Sequence, residues 1–60
     1  MDLGNRIKET RERLNMSQDE LAEKLDISRQ VISKWETGKS YPDIEKILKL
    51  SDIFNLSLDS

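Results

Sequence analysis

Neither cysteine nor histidine occurs anywhere in the 60 residues. Without cysteine there is no disulfide framework and no thiolate metal site, and a reducing compartment suits the chain. Without histidine, the usual general base and the commonest metal ligand are both missing. No apolar run approaches the length that spans a bilayer, and the N-terminal MDLGNRIKETR has no apolar signal region, so a soluble cytoplasmic protein is expected. Apolar residues make up only 35% of the chain, while charged residues make up 37% with a net charge of just −2. The polarity therefore comes from mixed signs, which together with clear periodicity favours a small folded helical unit over disorder. Residues 1–60 read as one domain, near the lower size at which a core sustains itself without staples.

Apolar residues recur at helical spacing and no alternating strand pattern is present, so the class expected is all-α. Leu3, Ile7 and Leu14 share a face, with Thr10 and Arg11 between them, and predict a first helix over about 3–14. Asn15 and Met16 break it. Ser17, with Glu20 three residues on, spells a capping box at the start of a second helix. Its buried stripe is Leu21, Ala22 and Leu25, and the small Ala22 lets another helix come close. Asp26 and Ile27 form a turn, with a left-handed backbone expected at Asp26 because Asp tolerates it better than most residues. Ser28 is expected to cap a third helix that buries Ile32 and Trp35 and ends at Thr37–Gly38, where glycine suits a left-handed C-terminal cap. Asp43 caps a fourth helix, lined inside by Ile44, Ile47, Leu48, Ser51 and Phe54, with Leu50 at the edge. Ile53 falls on the opposite side, facing a fifth helix or a subunit contact. Ser57 reads as the cap of that fifth helix, which suggests the N-terminal part of a longer protein.

Residues 17–38 are thus two short helices joined by a tight turn, an arrangement that places its second helix in a DNA major groove. On a wheel of about 100° per residue, Arg29, Gln30, Ser33 and Lys34 fall together, away from Ile32 and Trp35. Arg and Lys donate to guanine O6 and N7, and Gln pairs with adenine. A merely solvated helix face would also hold such residues. The preceding helix changes the weighting, because Ser17 and Gln18 at its start would offer N–H groups and the Gln18 amide to a phosphate. Asp19 and Glu20 would repel that phosphate while complementing the helix dipole. Val31 lies between the two faces, at the core edge or against a thymine methyl. Trp35, on the Ile32 side, reads as core rather than as a base-stacking platform. Tyr41 either covers the core or offers its hydroxyl to a phosphate.

An acidic balance argues against nucleic acid, but the charge is unevenly placed. It runs +1 over residues 1–16, −3 over 17–26, +2 over 27–40 and −2 over 41–60. The one clearly positive segment holds the third helix and the loop after it, and the local field matters most at a short interface.

SQDELAEKLDISRQVISKWETG followed by YPDIEKILKLSDIFNLSLD resembles the Cro and phage-repressor family of bacterial helix-turn-helix regulators, over Arg6 to Asp59. Its specific segments are S-Q-x-x-L-A-x-x-L and I-S-x-W-E-x-G. The resemblance implies a compact four- to five-helix domain that binds double-stranded operator DNA as a homodimer, and hence a near-palindromic operator. It also implies that Gln18 contacts a phosphate, that Ser28, Arg29, Gln30 and Lys34 face bases or adjacent phosphates, and that Lys39 contacts the backbone. Arg11 and Glu36 match a pair that bridges helices one and three in some members, and Arg11 does lie on the apolar face of its helix. Asp26 departs from the family pattern, where glycine is frequent, and this bears on turn stability.

No Gly-rich phosphate loop, metal-ligand cluster or nucleophile–base pair is visible, so no enzyme, cofactor, metal or small-molecule site is expected. Glu9/Glu12 and Asp19/Glu20 read as ordinary solvated charges. The expected function is sequence-specific DNA binding by a transcriptional regulator, with residues 28–36 in the major groove. One alternative is a protein-interaction module that keeps the fold, which would expose apolar anchors on that face instead. Another is an antitoxin or phage-immunity repressor, which these residues do not separate from a general regulator.

Overall fold

The structure, a computed structural model, describes residues 2–58, with side chains through Asn55. Four helices account for most of them: α1 (Leu3–Arg13), α2 (Gln18–Leu25), α3 (Arg29–Glu36) and α4 (Ile44–Leu58). Three begin on a side-chain cap that satisfies an orphan first-turn N–H. The Asp2 carboxylate accepts from the Asn5 N–H at 2.7 Å, and that of Asp43 accepts from the Lys46 N–H at 2.9 Å. At α2 the expected capping box is complete: Ser17 Oγ accepts the Glu20 N–H and Glu20 Oε1 accepts the Ser17 N–H, both at 3.0 Å.

Ser28 differs from expectation. It occupies the N-cap position of α3 with extended backbone, yet its hydroxyl makes no capping bond. The first turn is closed instead by the Val31 N–H donating to the Ser28 carbonyl at 3.1 Å. The turn before it is as expected, with Asp26 left-handed at φ 59° and ψ 43°. Asn15 closes α1 in the same conformation, at φ 59°, and Gly38 follows α3 at φ 78°.

The short α3 packs against both α1 and α2, and α4 closes over α2. Leu21, Leu25 and Ile32 are fully buried where these helices meet, joined by Ile7, Met16, Ala22, Trp35 and Leu50. Each large side chain in that set contributes about 1.5–3 kcal/mol of transfer free energy. Val31 and Ile27 are half-buried against the same cluster, so Val31 belongs to the core edge. Tyr41 is 67% exposed and lies outside the core cluster. Gly4 permits a close approach of α1 to the end of α3: a Cβ there would collide with the Trp35 carbonyl oxygen and lie 3.0 Å from that of Glu36.

α4 corrects two expectations. Its buried residue is Leu50, flanked by the half-buried Ile53 and Phe54, whereas Ile44, Ile47 and Leu48 are exposed. The helix is thus turned by roughly 90° from the orientation its wheel suggested, and Ile53 faces inward. Apolar residues cover more of its circumference than α2 can bury, and Lys46, half-buried, completes the inward face with its aliphatic stem. Ser57 lies within α4 rather than at the start of a fifth helix. No helix among the described residues is long and apolar enough to cross a membrane.

Candidate nucleic-acid interface

α3 presents two unlike faces because its apolar residues repeat at helical spacing while its long polar ones fall between them. Ile32 and Trp35 are anchored in the core at 0% and 4% exposure. Opposite them, Arg29, Gln30 and Lys34 are exposed, with Ser28 at the helix start also exposed and Ser33 half-buried between. Arg29, Gln30, Ser33 and Lys34 share one side of α3 with Ser28 at its N-terminal end, and Lys39 is an exposed residue of the following loop, its N–H tied to the Lys34 carbonyl at 2.9 Å. An α-helix of about 10–12 Å diameter matches a major groove about 12 Å wide.

Beneath this surface lies a buried ionic network. Arg11 Nε and Nη2 donate to Glu36 Oε2 and Oε1 at 2.7 and 3.1 Å, a two-point pairing of α1 with the C-terminal end of α3. Arg11 Nη1 donates to the Met16 carbonyl at 2.8 Å, and Gln18 Nε2 donates to Glu36 Oε1 at 2.9 Å. The hydrogen bond that Arg11 donates to Glu36 holds the guanidinium pKa above its ordinary value against the opposing effect of burial, so Arg11 stays charged. The pairing of Arg11 with Glu36 is as expected. The inclusion of Gln18 and Met16 was not legible, because it depends on how α2 sits against two other helices.

At the start of α2, the predicted phosphate contacts are unequally placed. The capping box uses the Ser17 oxygen as an acceptor and its N–H as a donor, which leaves the hydroxyl O–H to donate to a phosphate. Gln18 and Asp19 keep first-turn N–H groups with no acceptor inside the helix. The half-buried Gln18 amide is fixed by Glu36, which leaves its second N–H for another acceptor. Asp19, expected as a solvated charge that complements the helix dipole and repels a phosphate, stands with its Oδ1 at 3.7 Å from Arg29 Nε.

The helix-turn-helix family model matches residues 7–60. The HTH-type transcriptional activator BcrR of Enterococcus faecalis is 39% identical over 98% of this chain, which spans 29% of that protein. The HTH-type transcriptional regulator ImmR of Bacillus subtilis is 42% identical over 98% of the chain, which spans 46% of it. The cryptic phage CTXphi transcriptional repressor RstR of Vibrio cholerae is 29% identical over 98% of the chain, which spans 53% of it. No solved structure matches the chain at a significant level.

Proposed function

The chain belongs to the helix-turn-helix family, and from that premise we propose that it reads double-stranded DNA with α3 in the major groove, as part of a transcriptional regulator. One observation carries this reading. Arg29, Gln30 and Lys34 stand exposed on α3 while its other face is locked into the core, so three long donors project together from a rigid element. Arg29 and Lys34 suit guanine, Gln30 suits adenine, and Ser28 and Ser33 are short enough for either a base edge or a sugar–phosphate oxygen. Gln18, the N–H groups at the start of α2 and Lys39 act on flanking phosphates and set the register of α3.

The protein acts as a homodimer on a near-palindromic operator, with half-sites about one helical turn apart. Support for self-association comes from Ile44 and Leu48, 75% and 62% exposed on α4 with the less exposed Ile47 beside them. That apolar strip also weakens the interaction-module alternative for the α3 face, since the exposed apolar anchors lie on another helix. The activity is binding without a catalytic step, in the cytoplasm. BcrR is named an activator and RstR a repressor, and either direction of regulation is compatible with this surface.

The test compares two classes of substitution on one high-affinity duplex. Arg29→Ala or Gln30→Ala weakens binding by about 1–3 kcal/mol and relaxes preference at particular base pairs. Gln18→Ala weakens all sequences alike. A Gln18→Ala variant with altered base preference, or an Arg29→Ala variant with none, contradicts these roles.

A further inference from the structure

We infer that Asp19 is a positioning residue for Arg29, holding the Nε edge of its guanidinium so that the two Nη groups are presented end-on to a guanine; this rests on the DNA-binding reading above.

The pair links the first turn of α2 to the first residue of α3, with Arg29 Nε 3.7 Å from Asp19 Oδ1. Asp19 complements the dipole at the start of α2, but neither residue belongs to the buried core. Their side chains are 62% and 80% exposed, and the α2 cap is already complete with Ser17 and Glu20. The backbones that carry them are nevertheless fixed, because Leu21 and Ile32 are buried where α2 meets α3. A carboxylate at the edge of a DNA-binding surface costs affinity through phosphate repulsion. The dipole of α2 offsets part of that cost, and the geometry of the pair supplies a further role.

An arginine can approach guanine O6 and N7 through its two Nη groups or through Nε and one Nη. A carboxylate on the Nε side disfavours the second mode. It also reduces the rotamers that Arg29 surrenders on binding, a gain in affinity realised only where its two Nη groups meet guanine, and so a gain in discrimination. Asp19 thus lowers affinity for DNA in general and sharpens the choice of guanine at one base pair.

The experiment is competition binding with an enriched duplex and its single-base variants, at fixed salt, after far-UV circular dichroism confirms folding. Arg29→Ala first identifies the base pair that Arg29 reads. Asp19→Ala is then expected to reduce guanine preference at that pair about two- to fivefold, the range of an exposed ion pair. Preference at pairs read by Gln30 and Lys34 is unchanged, and affinity for random duplex rises. In the Arg29→Ala background, Asp19→Ala changes no base preference; with Arg29 in place, Asp19→Glu, which keeps the carboxylate, retains most of the guanine preference. An equal gain for every sequence with guanine preference intact overturns the inference and leaves Asp19 a simple repulsive charge. Failure of the folded, unsubstituted protein to prefer any sequence overturns the DNA reading itself, a result distinct from the first.

Discussion

Removing one partner of the Arg11–Glu36 pair should be far costlier than removing both. The side chains are 10% and 3% exposed, so each charge relies on protein groups rather than water. Breaking a buried pair typically costs about 3–5 kcal/mol, because the survivor is left uncompensated. The two single variants are not equivalent. In Glu36→Leu, Arg11 keeps the Met16 carbonyl at 2.8 Å and can lean on Glu12, 3.9 Å away at the surface, which favours the lower end of the range. In Arg11→Met, the Glu36 carboxylate keeps only the Gln18 amide at 2.9 Å among the contacts seen here, which favours the upper end. A chain of 60 residues has a total stability of about 3–9 kcal/mol at typical per-residue values, so either variant loses a third of it or more and is largely unfolded if the parent lies at the lower end. In the double variant no charge is stranded. The main residual cost is the Met16 carbonyl left without its donor, about 1–3 kcal/mol. Urea unfolding followed by far-UV circular dichroism measures all four corners of the cycle. A double variant more stable than Arg11→Met alone confirms the reasoning. Single variants within about 1 kcal/mol of the parent, the value of a surface pair, or a double variant equal to their sum, refute it.

Two further substitutions probe the backbone. Gly4→Ala should destabilise by about 1–2 kcal/mol in the same assay, because the overpacking against the Trp35 carbonyl outweighs alanine's better helix propensity; a stabilised variant would show that α1 can shift away from α3 freely. Asp26→Gly should stabilise by about 0.5–1 kcal/mol, since it relieves a left-handed non-glycine residue and removes a negative charge from the C-terminal end of α2. Thermal unfolding measures this, and a lower midpoint would mean that Asp26 contributes an interaction beyond its backbone conformation.

These contrasts also explain what was legible before the structure. The capping box at Ser17 and Glu20 and the left-handed turn at Asp26 depend on residues within a few positions, so short-range chemistry sufficed. The split of α3 into Ile32 and Trp35 against Arg29, Gln30 and Lys34 follows from helical period alone. Arg11–Glu36 spans 25 positions and was reached through family resemblance, helped by a charged residue on an apolar face. What was not legible is set by packing between helices. Gly4 has no local reason to be glycine, and Met16 follows a break yet is 8% exposed. In α4, surplus apolar residues made several inward faces plausible, and contact with α2 selected the one centred on Leu50. The Asp19–Arg29 pair likewise depends on the placement of whole helices.

Selection from a random duplex-DNA library at two salt concentrations tests the central claim most directly. The account predicts enrichment of one near-palindromic sequence, with affinity that falls as salt rises because phosphate contacts release counterions. Arg29→Ala should erase the preference at one symmetric pair of positions. A folded, dimer-competent sample that enriches no sequence at either salt concentration would contradict the assignment of α3 as a reader of DNA.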